Sequence, residues 1–346
     1  MHMADALLAP AVGGLMWLAA GSALVVASRR LGRQPDDRLV PLMGMLGAFV
    51  FAAQMINFAI PGTGSSGHLG GGLLLALLVG PWPALVVMAS VLTVQALFFA
   101  DGGLLALGAN IFNLAVLPCL VVLPLVYRPL AGPAPSTRRL SAAVMLSAIA
   151  GLLLGATGVV LQTVASGISS LPLQAFAWLM LPIHAAIGIV EGLATLALVL
   201  FLRRQRPDLL PAAPAVAGRA LRPVLLGWAL AAALLGGVGS WFASTAPDGL
   251  EWSVQRATGG QELAAPAAGP HAWLARWQQR TALLPDYDLP APHATAANEP
   301  EARSWPAVKA GTSLAGLLGG VSTLTLVLGV GWALRRRQRL AAQRAG

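Results

Sequence analysis

His2 directly follows the initiator methionine. Methionine removal generally needs a small second residue, so the mature chain is expected to begin Met1-His2. A free amine, the amide nitrogen of residue 2 and the imidazole of residue 2 are then consecutive donors on one short segment. They can close adjacent small chelate rings around one ion, and nitrogen donors arranged in a plane suit Ni(II) or Cu(II). A fourth donor would complete the square. The other reading of His2 is a polar residue at a frayed terminus. The second residue of interest is His68, which ends the run Ile60-Pro61-Gly62-Thr63-Gly64-Ser65-Ser66-Gly67-His68. Glycine-rich backbone can approach a neighbouring segment closely. His68 is either a donor carried on such a loop or a solvated loop histidine.

His184 and Glu191 lie in a long apolar stretch, seven residues apart and so on nearly one helix face. Ionisable groups inside a membrane are costly and usually functional; the alternative is an interhelical hydrogen bond that fixes packing. Gln54, Asn57, Gln95, Asp101, Asn110 and Asn113 are read mainly as scaffold, since such groups commonly hydrogen-bond between helices. Asn57 and Asp101 are also candidates to stand behind the metal ligands. Cys119 is the single cysteine. It forms no intrachain disulfide and no cysteine metal cluster, and is read as a small core residue. The chain lacks G-x-x-x-x-G-K-[ST] and H-E-x-x-H, so neither a P-loop ATPase nor the common metalloprotease is expected.

These residues must be positioned by membrane helices. Of the 346 residues, 57% are hydrophobic and 10% charged, with mean hydropathy +0.73; a soluble domain would carry about 25% charged residues. Spanning segments need about 20 apolar residues. They are expected at 7–27, 39–60, 104–127, 140–165, 175–202, 224–243 and 311–334. The apolar block 69–99 is broken by Gly80-Pro81-Trp82-Pro83, because proline removes a donor and ends a helix. It is read as two shorter helices, 69–79 and 82–99. The expected fold is all-α and polytopic: a seven-helix bundle and a two-helix hairpin.

The net charge of +9 would suggest nucleic acid if its charges faced one partner. Most of the basic residues instead form four clusters: Arg29, Arg30, Arg33 and Arg38; Arg128, Arg138 and Arg139; Arg203, Arg204, Arg206, Arg219 and Arg222; Arg335, Arg336, Arg337, Arg339 and Arg344. Basic loops stay in the cytoplasm. Nine helices with the N-terminus outside and the C-terminus inside put all four there; a single helix at 69–99 would not. The partner of the basic balance is therefore the lipid bilayer and not nucleic acid. Residues 1–205 are read as the first domain, 206–220 as a Pro/Ala-rich cytoplasmic linker and 221–340 as the second. The extracytoplasmic stretch 245–309, rich in Ala and Pro, is expected to lack a packed core of its own in its middle.

Met1-His2, Pro41-Leu42-Met43-Gly44, Phe51-Ala52-Ala53-Gln54-Met55-Ile56-Asn57-Phe58, Ser66-Gly67-His68-Leu69-Gly70-Gly71, Ala100-Asp101-Gly102-Gly103-Leu104 and Gly108-Ala109-Asn110 together resemble the substrate-binding subunit of cobalt/nickel energy-coupling-factor transporters. Pro247-Asp248-Gly249-Leu250-Glu251 between two apolar helices resembles the small accessory subunit of the same transporters, so the chain looks like a fusion of the two. The resemblance implies Ni2+ or Co2+ as transported substrate, without an organic cofactor. It implies metal ligands at Met1, His2 and His68; Asn57, Asp101, His184 and Glu191 stay candidates from their positions alone, behind the ligands or along the pathway. It also implies partners, a transmembrane coupling subunit and separate ATPase subunits, and residence in the cytoplasmic (inner) membrane. The long Ala/Pro-rich outer insertion departs from the accessory pattern.

The main alternative is a self-sufficient divalent metal permease, with His184 and Glu191 as a proton or metal path. An intramembrane metalloenzyme would need an open coordination position and a general base, and no carboxylate is expected in the outer loop close to His68. A third reading is a tethered interaction module acting through residues 245–309.

Overall fold

A computed structural model describes residues 2–32, 38–169, 171–210, 220–261, 263–289 and 305–345, with side chains described up to 337. The chain is mostly helical. Six helices among these residues are long and apolar enough to cross a membrane: Pro10–Leu31, Pro81–Phe98, Leu107–Ala131, Thr137–Ser166, Leu173–Gln205 and Ala310–Arg337. Large apolar side chains stand exposed along them, among them Leu18, Leu146, Leu161, Leu193 and Phe201. Such a surface suits lipid and would be a liability in water.

The first helix, α1 (Pro10–Leu31), starts three residues later than hydropathy suggests. Pro10 occupies the first turn, where its missing N–H costs nothing. Residues 2–9 are not part of the span. They run inward, and Met3, Leu7 and Leu8 are buried. The second helix, α2 (Leu39–Gln54), ends early. The chain then forms an antiparallel hairpin of β1 (Phe58–Ile60) and β2 (Ser65–Gly67), with Phe58 opposite Gly67. Gly62 and Gly64 turn it with φ of +77° and +76°, a conformation that side chains resist.

The apolar block splits as expected. The eight-residue α3 (Gly72–Val79) stops at Gly80, and α4 (Pro81–Phe98) begins at the next residue. At about 1.5 Å per residue α3 cannot span a bilayer; all eight residues are buried in protein. The next helix runs from α5 (Leu107–Ile111) through a π-helical stretch, Phe112–Tyr127, into α6 (Arg128–Ala131). Pro118 and Pro124 lie inside the wide turns, where missing donors are tolerated within surrounding protein. The long helices α7 (Thr137–Ser166) and α8 (Leu173–Gln205) pack on one another. Gly188 allows this approach, since a Cβ there would stand 2.8 Å from Ile149 Cα.

Later in the chain, α9 (Arg222–Gly237) and the last helix, α12 (Ala310–Ala345), pack against each other and against α2. Small residues bring these backbones together, with Gly236 meeting Gly316 directly. Like α3, the 16-residue α2 and α9 are shorter than a full span. Between α9 and α12 lie α10 (Gly249–Ala257) and α11 (Gly269–Thr281). The described part of 245–309 therefore has ordered helices, which is more structure than its composition suggested. They gain their burial by packing on the first domain: Trp252 Nε1 donates to Thr63 O at 3.0 Å, and Gln278 Nε2 donates to Ala96 O at 2.9 Å and Gly102 O at 2.7 Å.

Candidate metal centre

The segment before α1 is held by a template of side-chain amides. Met3 N donates to Asn110 Oδ1 at 2.8 Å, and Asn110 Nδ2 donates back to Met3 O at 3.2 Å. Gly103 N also donates to Met3 O, at 2.9 Å. One asparagine thus satisfies both backbone groups of a fully buried residue, a pairing that buried backbone requires. Below it, Asn113 and Gln162 exchange hydrogen bonds at 2.8 and 3.0 Å, fixing the π-helical stretch to α7. Further along, Ala106 N donates to Asp5 Oδ1 at 2.9 Å, and His271 of α11 donates from Nε2 to Leu8 O at 2.8 Å.

Anchored at Met3, His2 stacks on His68, with ring centroids 5.1 Å apart and planes 12° from parallel. The two histidines singled out in the sequence are thus neighbours; Met1 lies outside the described residues. His68 Nδ1 faces Leu69 O at 3.1 Å. A carbonyl only accepts, so that contact puts the proton on Nδ1 and makes Nε2 the accepting nitrogen of the ring. Burial above all pushes the His68 imidazole down to about 3, so the ring stays neutral. His2 Nδ1 lies 2.9 Å from Asp101 Oδ1, while its Nε2 is buried without a partner. Asp101 also accepts from the Tyr287 hydroxyl at 2.5 Å. Burial works to raise the Asp101 carboxyl, but His2 and Tyr287 outweigh it and hold the group below the ordinary carboxylate range.

A small cavity beneath His68 is lined by Gly67, Gly70, Leu114, Leu152, His184, Ile187, Asp248 and Gly249. His184 is fully buried. It donates from Nδ1 to Met180 O at 2.8 Å, and its Nε2 has no partner. Asp248 arrives from the second domain. Its Oδ1 caps α10 by accepting from Leu250 N at 2.9 Å and Glu251 N at 2.8 Å. Glu251 completes a capping box. The turn is fixed to the hairpin by Ser66 N donating to Pro247 O at 2.8 Å. Gly249 makes the approach feasible, since a Cβ there would stand 2.7 Å from Ile183 and 3.1 Å from His184 Cε1. The expectation of no carboxylate near His68 is thereby corrected. The packing of residues 180 positions apart brings Asp248 there, which no local spacing could reveal.

The remaining candidates have other surroundings. Glu191 accepts from Gly70 N at 2.8 Å and Gly71 N at 3.2 Å, so it holds the backbone just after His68. Gln54 supports the same loop by donating to Gly70 O at 3.0 Å, and accepts from Gln95 at 2.9 Å. Asn57 offers its carbonyl to Ser244 N at 2.7 Å, at the seam between the domains. Among the described residues no three His, Cys, Asp or Glu side chains are grouped to hold a metal. An ion at His2 and His68 would have to draw further donors from backbone or terminus.

The class defined so far is a multi-pass helical membrane protein with a closed, nitrogen-rich site at one end, completed by a second domain. A family model described as the cobalt uptake substrate-specific transmembrane region matches residues 2–209, and the PDGLE domain matches 222–336. An Archaeoglobus fulgidus protein assigned as a fused nickel transport protein is 33% identical, covering 99% of this chain and 100% of that one. A fused nickel transport protein of Rhodobacter capsulatus is 33% identical over 62% of this chain and 66% of its own. The crystal structure of a transition metal transporter shares 31% identity, with a TM-score of 0.51, over 59% of this chain and 93% of that one. The chain belongs to the cobalt/nickel substrate-binding subunits of energy-coupling-factor transporters, here fused to a PDGLE domain.

Proposed function

We propose that this chain captures Ni2+ or Co2+ at the extracytoplasmic face through its N-terminus and delivers it inward as part of an ATP-driven importer. The observation that carries this reading is the stacking of His2 on His68, with Met3 held in place by Asn110. In the proposed site Met1 supplies its amine, His2 its amide nitrogen and imidazole, and His68 its Nε2. Such a set selects late divalent ions, with Ni above Co in intrinsic affinity. His184 and Asp248 form the wall beneath.

The proposed topology has nine membrane segments, counting α2, α3 and α9, with the N-terminus outside. Two contacts made by arginines of the basic clusters support it. Arg30 lies over the Trp82 ring at 5.6 Å, and Arg203 donates to Pro135 O at 2.8 Å. The segments near Arg30 and the start of α4 thus share one end, as do the 128–139 loop and the end of α8. ATP hydrolysis belongs to separate subunits, reached through a coupling subunit. The test is Ni2+ titration of the purified full chain. A His68→Ala variant should bind at least about ten-fold more weakly, equivalent to ~1.4 kcal/mol; unchanged binding would reject the site.

A further inference from the structure

We propose that Tyr287, Asp101 and His2 form a relay through which the PDGLE domain positions the metal-binding histidine. The proposal rests on the reading of His2 and His68 as ligands. Tyr287 lies in the outer stretch, 186 residues from Asp101. Its hydroxyl donates to Asp101 Oδ2, leaving Oδ1 to face His2 Nδ1 at 2.9 Å. The tyrosine ring is itself fixed, stacked on Phe99 at 4.9 Å with planes 14° apart, and lies 6.2 Å from Phe51. Backbone bonds lock the two segments together: Leu284 N donates to Phe98 O at 3.1 Å and Asp286 N to Phe99 O at 3.0 Å.

Two further observations make this more than a packing contact. Ala100, Asp286 and Tyr287 have φ of 55°, 53° and 59°. Among the described residues these are the non-glycine positions with positive φ, and all three lie at this junction. Such conformations persist only where the surroundings enforce them, and they gather at functional sites.

The second observation is the state of the His2 ring. The small chelate ring joining the His2 amide nitrogen to its own imidazole closes through Nδ1. Here Nδ1 faces Asp101, and Nε2 is buried without a partner. Rotation about the Cβ–Cγ bond exchanges the ring edges. The half-turn puts Nε2 where Cε1 stood and Cδ2 where Nδ1 stood; with the ring proton moving from Nδ1 to Nε2, Nδ1 is freed for the ion and Nε2–H is carried to the Asp101 side of the ring. The carboxylate then orients the ligand from behind, an arrangement that fixes the tautomer and raises ligand basicity. Tyr287 is a positioning residue in this scheme. It holds the Asp101 carboxylate where the turned ring can reach it, and it does so only while the PDGLE domain is docked.

The test uses the full chain in lipid nanodiscs, with Ni2+ affinity and the ligand-field spectrum of bound Ni2+ as readouts. Asp101→Asn should weaken binding by about 10- to 100-fold. Tyr287→Phe keeps the stacked ring and should weaken binding by a smaller factor while shifting the Ni2+ band in the same direction. The double variant should be no worse than Asp101→Asn alone, because residues in one network are not additive. A Tyr287→Phe loss that multiplies with that of Asp101→Asn would overturn the relay. So would an unchanged Tyr287→Phe affinity and spectrum beside a collapse in His68→Ala, and in that case the ligand assignment stands. Unchanged binding in His68→Ala would overturn the ligand assignment and the relay together.

Discussion

Nitrogen donors at a membrane protein's surface are common; what distinguishes His2 and His68 is that both are held in place. Asn110 does most of this for His2. Asn110→Ala would strand the N–H of Met3 and leave its C=O with the bond from Gly103 N alone, at a cost of about 1–3 kcal/mol for the buried donor left unpaired. It should therefore weaken Ni2+ binding at least about ten-fold while both histidines remain, as measured by titration calorimetry. For His68, neutral down to about pH 3, protonation does not limit binding at ordinary pH. Affinity should nonetheless fall from about pH 8 to about pH 6, because protons compete with metal for the terminal amine. A flat profile over that range would argue against an amine ligand. At this scale the sequence was partly legible. His2 and His68 stand out because histidines are few and the rest of the chain is apolar. Asp101 was visible as a polar residue near a helix end that could stand behind the ligands, whereas Tyr287 gave no signal, since its role depends on a contact spanning 186 residues.

The elements were legible where a local rule decides them. Proline at Pro81 breaks the apolar block, and arginine clusters mark helix ends. Strand β1 was hidden in the apolar run that hydropathy assigns to α2, and β2 in the Gly/Ser loop that follows it, where only Gly62 and Gly64 betray the turn. The helices α10 and α11 were hidden for the opposite reason. Their sequence has too little apolar surface for a core of its own, and they are stabilised by docking on another domain. The capping box at Asp248 is the local signal that could have located α10. This docking makes a prediction. Gly249→Val places a side chain against Ile183 and His184, so it should lift the turn from the hairpin. Amide hydrogen exchange at Ser66, whose N–H donates to Pro247 O, should accelerate, and Ni2+ affinity should drop. Protection retained at Ser66 would show that the turn tolerates the bulk.

For the molecule as a whole, the proposed function assigns capture to this chain and energy supply to separate subunits. Metal uptake in cells should collapse without ATPase partners, while the isolated chain still binds Ni2+. Sustained uptake by this chain alone in a transport-deficient host would favour a permease. Reporter fusions after residues 133 and 342 should read cytoplasmic and one near residue 270 external; an external signal at 133 would reject the topology. The most direct test of the central claim concerns the terminus itself. One residue added before Met1 turns the terminal amine into an amide and keeps every side chain, whereas a tag after Gly346 leaves that amine untouched. Ni2+ titration of the two forms, with mass spectrometry confirming that the extension is intact, compares them directly. The account predicts that the extended N-terminus loses at least about ten-fold in affinity and that the C-terminally tagged form binds as the untagged chain does. Equal affinity in the two forms would contradict it.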